Sequence, residues 1–330
     1  MTAWFSFIAV LVLTAVVFFG IEAAGLRFIF GVIIPYAAVA VFVVGFVYRI
    51  LKWTKSPVPF RIPTTCGQEK SLPWIKYNKL ENPPGALATV GRMALEVLLF
   101  RSLFRNTKAQ LRDGPALVYG SSKWLWLGGL AFHWSMLIVV LRHFRFFVDP
   151  IPAWVHYLQN LDGFFQVGLP IIYISDIVFL TAVTYLFLRR VVDSKLRYIS
   201  LASDYFPLFL LGGVGVTGVL MRYFLKVDIV GVKDLAVGLV TGHPVVPEQT
   251  GVLFFIHLFL VCVLFAYFPF SKLMHMGGIF LSPTRNLANN NRVKRHINPW
   301  DYDVKVHTYE EWEDEFRDRM KEAGMPLEKE

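Results

Sequence analysis

Six long apolar runs decide the solvent in which this chain folds. They lie near Trp4 to Ile21, Phe28 to Ile50, Trp124 to Phe147, Val167 to Leu188, Tyr205 to Phe224 and Val252 to Phe270. Each approaches or exceeds the roughly 20 residues that carry an α-helix across a hydrocarbon core. A hydrophobic content of 55% and a mean hydropathy of +0.50 lie outside the range of soluble domains. The expected fold class is an all-α membrane protein with six transmembrane helices. The first run lacks a basic start and reaches Glu22 without a small-residue cleavage pattern, so it reads as a retained helix and not as a signal peptide.

Charge orients these runs. Twelve Lys or Arg fall between Lys52 and Lys123 and four between Arg189 and Arg197, whereas Val148 to Gly168 has none. Short loops rich in Lys and Arg stay cytoplasmic, so both termini are expected inside and Val148 to Gly168 outside. Arg222, Lys226 and Lys233, after the fifth run, go against this pattern. The net charge of +9 therefore reports topology and not a nucleic-acid partner. Cysteine is limited to Cys66 and Cys262, which excludes a Cys-ligated iron-sulfur cluster, a covalent CxxCH haem site and an intrachain disulfide.

Four segments are expected: a transmembrane hairpin (1–51), a cytoplasmic loop (52–123), a four-helix haem-binding domain (124–281) and a cytoplasmic tail (282–330). In the loop, Pro57, Pro59, Pro63 and Asn82-Pro83-Pro84-Gly85 argue for extended structure. Leu87 to Phe104 reads as an amphipathic helix lying on the inner leaflet or on a partner protein. In the tail, Trp312, Phe316 and Met320 recur every four residues, an apolar ridge suited to docking a cytoplasmic partner.

Four of the eight histidines fall in or at the rim of the apolar runs: His133 and His143 in the third, His257 and His275 in and just beyond the sixth. Ionisable groups are costly in a bilayer, so these are functional candidates. His257 and His275 are 18 residues apart, which on a continuous helix is five turns and one face, while His133 and His143 sit roughly 80° apart. With both termini inside, His133 shares the inner level with His275, and His143 the outer level with His257. Two cross-helix pairs at two depths match the need of bis-histidine haem for one imidazole on each side of the iron. The ligand separations, about 15 Å in one helix and about 27 Å in the other, do not match, and a kink at Pro269 is expected to absorb the difference.

Gly128, Gly129, Gly277 and Gly278 leave room beside the ligands for a macrocycle or simply for close helix packing. Arg142 and Arg145 are placed either to pair with haem propionates or to snorkel at the membrane rim. His156, His243, His296 and His307 read as surface residues. The competing function is a proton-coupled transporter using the intramembrane histidines as a relay; the spans are read as lacking acidic residues, which weighs against it.

The spacings of 10 and 18 on two helices resemble those of the gamma subunit of respiratory nitrate reductase, a membrane cytochrome b, over roughly Trp124 to Gly278. The N-terminal hairpin, the long inner loop, and the tail Ser282-Pro283-Thr284-Arg285-Asn286-Leu287-Ala288-Asn289-Asn290-Asn291 with Lys294-Arg295-His296-Ile297-Asn298-Pro299-Trp300-Asp301 resemble the DsrM family. These are the cytochrome b subunits of the sulfite-reduction-associated DsrMKJOP complexes, held in the prokaryotic cytoplasmic membrane. The resemblance implies two haems b, with His133 and His275 as ligands of the inner one and His143 and His257 as ligands of the outer one. It further implies menaquinol or menaquinone chemistry near the outer haem and a cytoplasmic iron-sulfur partner related to heterodisulfide reductase, which handles the sulfur chemistry. Nitrate reductase gamma subunits use a lysine after the second ligand of the first pair for the quinol, whereas no Lys or Arg occurs here from Phe146 to Leu188. Arg142, Arg145, Asp162, Gln166 and Arg222 are the quinone-site candidates, chosen for outer depth and hydrogen-bonding capacity.

Overall fold

The computed structural model describes residues 2–56, 70, 72–111, 114, 116–163, 171–290 and 306–328. Helices α1 (Thr2–Glu22) and α2 (Ile34–Thr54), the second entered through a π-helical turn at Ile29–Ile33, make the N-terminal hairpin. The segment that follows holds α3 (Ala86–Leu99), α4 (Arg101–Arg105) and an antiparallel pair, β1 (Thr107–Leu111) and β2 (Leu117–Ser121), with Thr107 opposite Ser121. There follow α5 (Lys123–Phe147), α6 (Ala153–Asp162), α7 (Ile174–Val192), α8 (Ser194–Ile199) and α9 (Ala202–Val219) with a π-helical turn at Leu220–Phe224. The described elements end with α10 (Ile229–Thr241), α11 (Val252–Tyr267), α12 (His275–Gly278), α13 (Pro283–Asn286) and α14 (Tyr309–Glu322).

Five helical stretches among the described residues are long and apolar enough to cross a membrane: Thr2–Glu22, Ile29–Thr54, Lys123–Phe147, Ala202–Phe224 and Val252–Phe270. The fourth expected run differs. Its helix α7 starts at Ile174 and carries Asp176, Arg189 and Arg190, and residues 164–170 lie outside the described set, as do Cys66, Pro57, Pro59, Pro63, Gln166 and residues 291–305.

In lipid, apolar side chains gain nothing by leaving one apolar medium for another, so helices associate through close packing and polar contacts. The hairpin is part of that packing: α1 sits against α9 and α11, and α2 against α11, with Val17, Leu210, Phe255 and Leu260 buried at the centre. Gly45 of α2 lets Pro269 approach so closely that a Cβ there would stand 2.7 Å from the Pro269 Cβ. Arg27, in the turn between α1 and α2, donates to the Glu248 and Thr250 carbonyls at 2.9 Å each. The periphery is apolar, with Trp4, Phe19 and Val44 exposed, the inverse of a soluble surface.

The helix expected over Leu87 to Phe104 is two helices. Phe100 adopts a left-handed conformation (φ 50°, ψ 47°) that ends α3 and starts α4. Thr89, Arg92 and Glu96 of α3 are buried while Leu87 is 88% exposed, the arrangement of a helix that turns its apolar face to a membrane interface. Trp126 and Trp134 of α5 donate their indole N–H to the carbonyls of Leu99 (2.6 Å) and Leu98 (2.9 Å), fixing α3 beside α5. The Asn-Pro-Pro break and the Asn-rich tail, far apart in sequence, meet directly. Asn289 donates from its backbone N–H to the Pro83 carbonyl and from Nδ2 to Asn82 Oδ1, both at 2.7 Å. In α14, Thr308 and Glu311 form a reciprocal cap, and of the expected ridge Trp312 is 39% exposed whereas Met320 is buried.

Candidate functional site

Helix α5 packs on α7 and α10, and α11 packs on α1, α2 and α9; α5 and α11 have no close backbone packing of comparable extent. Histidine rings of α5 meet one ring from α11 and one from α12, the short helix that follows it. The His133 and His275 centroids are 5.9 Å apart with planes at 80°, and the His143 and His257 centroids 6.5 Å apart with planes at 13°. These are the two pairs expected from depth. The other described histidines, His156, His243 and His307, are exposed.

Each ring is held by its Nδ1. His133 reaches the Gly129 carbonyl at 2.7 Å, His143 the Val139 carbonyl at 2.7 Å and His275 the Lys272 carbonyl at 2.8 Å. His257 reaches Thr217 Oγ1 at 2.9 Å. That hydroxyl directs its own proton to the Gly213 and Val214 carbonyls at 2.8 and 3.0 Å, so it accepts from His257 Nδ1–H. A carbonyl or lone pair facing every Nδ1 fixes the Nδ1–H tautomer and leaves the Nε2 lone pair for a metal. Thr217 was not expected from the sequence; a lone threonine in an apolar run carries no spacing signal.

Two imidazoles bound to one metal at about 2 Å each place their centroids roughly 6 Å apart, close to the 5.9 and 6.5 Å of the two pairs. Among the described residues no group of three or more His, Cys, Asp or Glu is placed to hold a bare ion. An iron already held in the plane of a macrocycle needs only two axial ligands, and the pairs fit that requirement at two levels.

His257 and His275 do not share a continuous helix, contrary to the expectation of five turns on one face. Helix α11 ends at Tyr267; Phe268–Phe270 and Lys272–Met274 form 3-10 turns; His275 opens α12. The physical cause is Pro269, buried against Gly45, followed by Ser271, whose hydroxyl accepts from the Leu273 N–H at 3.1 Å and starts a new turn. A full break, rather than a kink, reconciles the unequal spacings. Around the His133 and His275 pair, Phe100 and Phe132 each stand edge-on to His133 at 4.9 Å, and a cavity of about 420 Å3 lined by Arg49, Trp53, Tyr267 and Lys272 opens beside His275.

Next to His143, Arg142 is 7% exposed and enclosed by acids. Its Nε lies 2.9 Å from Asp162 and its Nη2 2.6 Å from Asp176 and 2.9 Å from Ser175 Oγ. Asp162 also accepts from the Ser175 N–H (2.8 Å) and hydroxyl (2.7 Å). The Tyr173 ring lies between two guanidinium groups, Arg142 at 3.7 Å and Arg222 at 4.1 Å, a double cation–π contact. Tyr223 donates to Asp176 Oδ2 at 2.9 Å and accepts from the Tyr173 N–H at 3.0 Å.

Of the expected quinone-site residues, Arg142 and Asp162 thus join one ion-paired network, with Arg222 at its edge donating to the Ile171 carbonyl at 3.2 Å. Arg145 stands apart, 5.2 Å from the Phe146 ring, and Gln166 lies outside the described residues. Asp176, Tyr173, Ser175 and Tyr223 complete the network. Asp176 corrects the reading that the spans carry no acid: it was legible as the one carboxylate in the fourth run, but the apolar length of that run masked it.

Residues 93–296 match the family model described as nitrate reductase gamma subunit. The Hdr-like menaquinol oxidoreductase cytochrome b-like subunit of Archaeoglobus fulgidus is 48% identical over 280 residues, 83% of each chain. Its counterpart of the same description in Archaeoglobus profundus is 42% identical over 275 residues, 81% of each chain. The matched residues take in α5 to α13 and with them all four paired histidines, and the chain belongs to the nitrate reductase gamma subunit family.

Proposed function

We propose that the chain is the dihaem b membrane subunit of a multi-subunit oxidoreductase. It transfers electrons between menaquinol or menaquinone near the outer face and a cytoplasmic iron-sulfur partner related to heterodisulfide reductase. The observation that carries this reading is the pair of opposed imidazole couples at 5.9 and 6.5 Å. The names of the Archaeoglobus relatives support the quinol link and the character of the partner. In this reading α7 completes a six-helix bundle in the prokaryotic cytoplasmic membrane, with both termini inside. The four segments 1–51, 52–123, 124–281 and 282–330 serve as hairpin, inner loop, haem domain and docking tail. The tail and inner loop support membership of a DsrMKJOP-type complex in dissimilatory sulfur metabolism, where the partner, not this chain, transforms sulfur.

Haem b held between two imidazoles supplies a reversible one-electron couple with no coordination position open to substrate. His133 and His275 would hold the inner one, His143 and His257 the outer one. The Gly129, Val139 and Lys272 carbonyls and the Thr217 hydroxyl keep each Nε2 aimed and unprotonated. Phe100 and Phe132 stand edge-on to His133 and limit the orientations open to its ring. The Arg142, Asp162 and Asp176 ion pairs anchor α5 to α6 and α7 one residue before His143.

The haem-to-protein ratio and reduced spectrum of the purified chain test this directly. Two haems of b type are expected. His143→Ala and His257→Ala should remove the same spectral component, and His133→Ala and His275→Ala the other. A chain free of haem that still moves protons across vesicles would overturn the reading in favour of a transporter.

A further inference from the structure

The cavity of about 420 Å3 beside His275 lies between the end of α2, the start of α9 and the turns that follow α11. Arg49 and Trp53 reach it from α2, Ser203 from α9, and Tyr267 and Lys272 from the α11 side. Arg49 and Lys272 bring positive charge to its lining, and none of the lining residues is acidic. Helix α2 closes on this place because Gly277 has no side chain: a Cβ there would stand 2.8 Å from Ile50 Cδ1. That close approach carries Arg49, one residue before Ile50, to the flank of His275.

The two cations differ in their surroundings. Lys272 has its side chain 70% exposed and ion-paired with Asp204 at 2.6 Å, while its carbonyl holds His275 Nδ1 at 2.8 Å. Arg49 has its Nε buried without an acceptor among the described residues, and its guanidinium carbon stands 5.4 Å from the centre of the Trp53 ring. Burying part of a cation without a counter-charge is costly. A guanidinium also presents its donors in a fork that matches a carboxylate. The cavity therefore suits an anion that bears a carboxylate and adjoins a histidine whose Nε2 is free for iron. Haem b has that chemistry, since its macrocycle lies between axial imidazoles and its rim carries two propionates.

We infer that Arg49 and Lys272 hold the propionates of the haem between His133 and His275. The inference rests on the dihaem reading above and gives the N-terminal hairpin a part in it. Arg49 precedes residues 93–296, which match the family model, so a helix outside the matched region completes the haem site. Arg142, a candidate for propionate pairing from sequence, is instead enclosed by Asp162 and Asp176.

The test uses the intact complex from cells fed aminolevulinate labelled with carbon-13 at its carboxyl, which labels the haem propionates. Redox-difference infrared spectra are taken over the potential range of the haem that His275→Ala removes. Arg49→Gln should shift the label-sensitive carboxylate bands, and Arg49→Lys should restore part of the shift. Lys272→Gln, a change at an exposed side chain, should move the same bands less, and it decides alone if Arg49→Gln yields no complex. In Arg49→Gln the ferrous-to-ferric ratio of that haem at fixed potential should also fall about tenfold, or 59 mV for one electron, because the lost cation no longer disfavours the ferric charge. The other haem should keep its bands and potential. Label-sensitive bands that stay in place in every variant obtained overturn the assignment while the dihaem reading stands, and an acidic lipid lost from Arg49→Gln at the same time would give the cavity to a lipid headgroup. A complex without haem overturns both.

Discussion

The inner and outer histidine pairs reach the same donor geometry by different routes. The outer pair stands on two continuous helices, with rings nearly parallel at 13°, and is buttressed by side-chain chemistry from α6, α7 and α9. The inner pair joins α5 to a short helix restarted after a helix break, with rings nearly perpendicular at 80°, and is buttressed by the aromatic edges of Phe100 and of Phe132 on α5 itself. Ring orientation has an electronic consequence. Parallel imidazoles split the two iron dπ orbitals that interact with them, whereas perpendicular ones leave those orbitals nearly degenerate. The ferric EPR spectrum of the complex should therefore hold two low-spin signals, the more anisotropic one belonging to the inner level. The contrast teaches that the outer level is stiffened by charge and the inner level by packing, and substitutions can be chosen to separate the two.

The largest effect should come from Arg142→Leu. It leaves Asp162 and Asp176 facing each other without their shared cation. Removing one partner of a buried ion pair costs about 3 to 5 kcal/mol, and two carboxylates depend on this one. Thermal unfolding of the detergent-solubilised complex should fall accordingly, with the outer haem lost before the inner one. Loss of the inner haem first would break the comparison, because it would mean that the network supports the whole bundle evenly.

A smaller and sharper effect is expected from Thr217→Val. The substitution keeps the shape of the side chain and deletes the acceptor of His257 Nδ1–H. An unpaired buried N–H costs about 1 to 3 kcal/mol, and loss of such outer support for a metal-bound histidine weakens metal affinity about 10- to 100-fold. Competition with apomyoglobin should extract the outer haem faster and leave the inner one unchanged, and Thr217→Ser should restore retention. Equal loss from both levels would show that the hydroxyl acts through helix packing and not through the imidazole.

These residues also mark the limit of what was legible in the sequence. A bilayer makes each histidine expensive, so His133, His143, His257 and His275 stand out from chain composition alone, and the rings expected at a common depth are the rings that meet. Apolar length likewise marks five of the spanning helices nearly to their ends. The break after Tyr267 was less visible, since Pro269 announces a kink or a stop equally well and the choice depends on its burial against Gly45. The strands β1 and β2 lie in a loop whose legible features are its prolines and the amphipathic stretch Leu87 to Phe104. The outer network was illegible for a stronger reason: Arg142, Asp162, Asp176 and Tyr223 come from four elements, and no periodicity along one helix encodes a contact among four. The meeting of Asn289 with Asn82 and Pro83 was hidden in the same way.

The smallest expected effect concerns Phe100, where two terms of similar size oppose each other. Its left-handed backbone costs a side-chain-bearing residue about 1 to 2 kcal/mol, and glycine removes that cost. Its edge-on contact with His133 contributes about 0.5 to 1.5 kcal/mol, and glycine loses it. The net stability of Phe100→Gly should therefore stay within about 1 kcal/mol of wild type, below the resolution of a melting curve for a complex of this kind. The inner haem should nonetheless respond, because water replaces an aromatic edge beside its ligand, and the polarity of the surroundings is one of the levers on haem potential. A redox titration should show the inner component shifted downward, since a wetter site favours the more highly charged ferric state, with the outer component unmoved. If both components shift together, the two levels are coupled through α5 itself, and the division between a charge-stiffened and a packing-stiffened site fails at the helix they share.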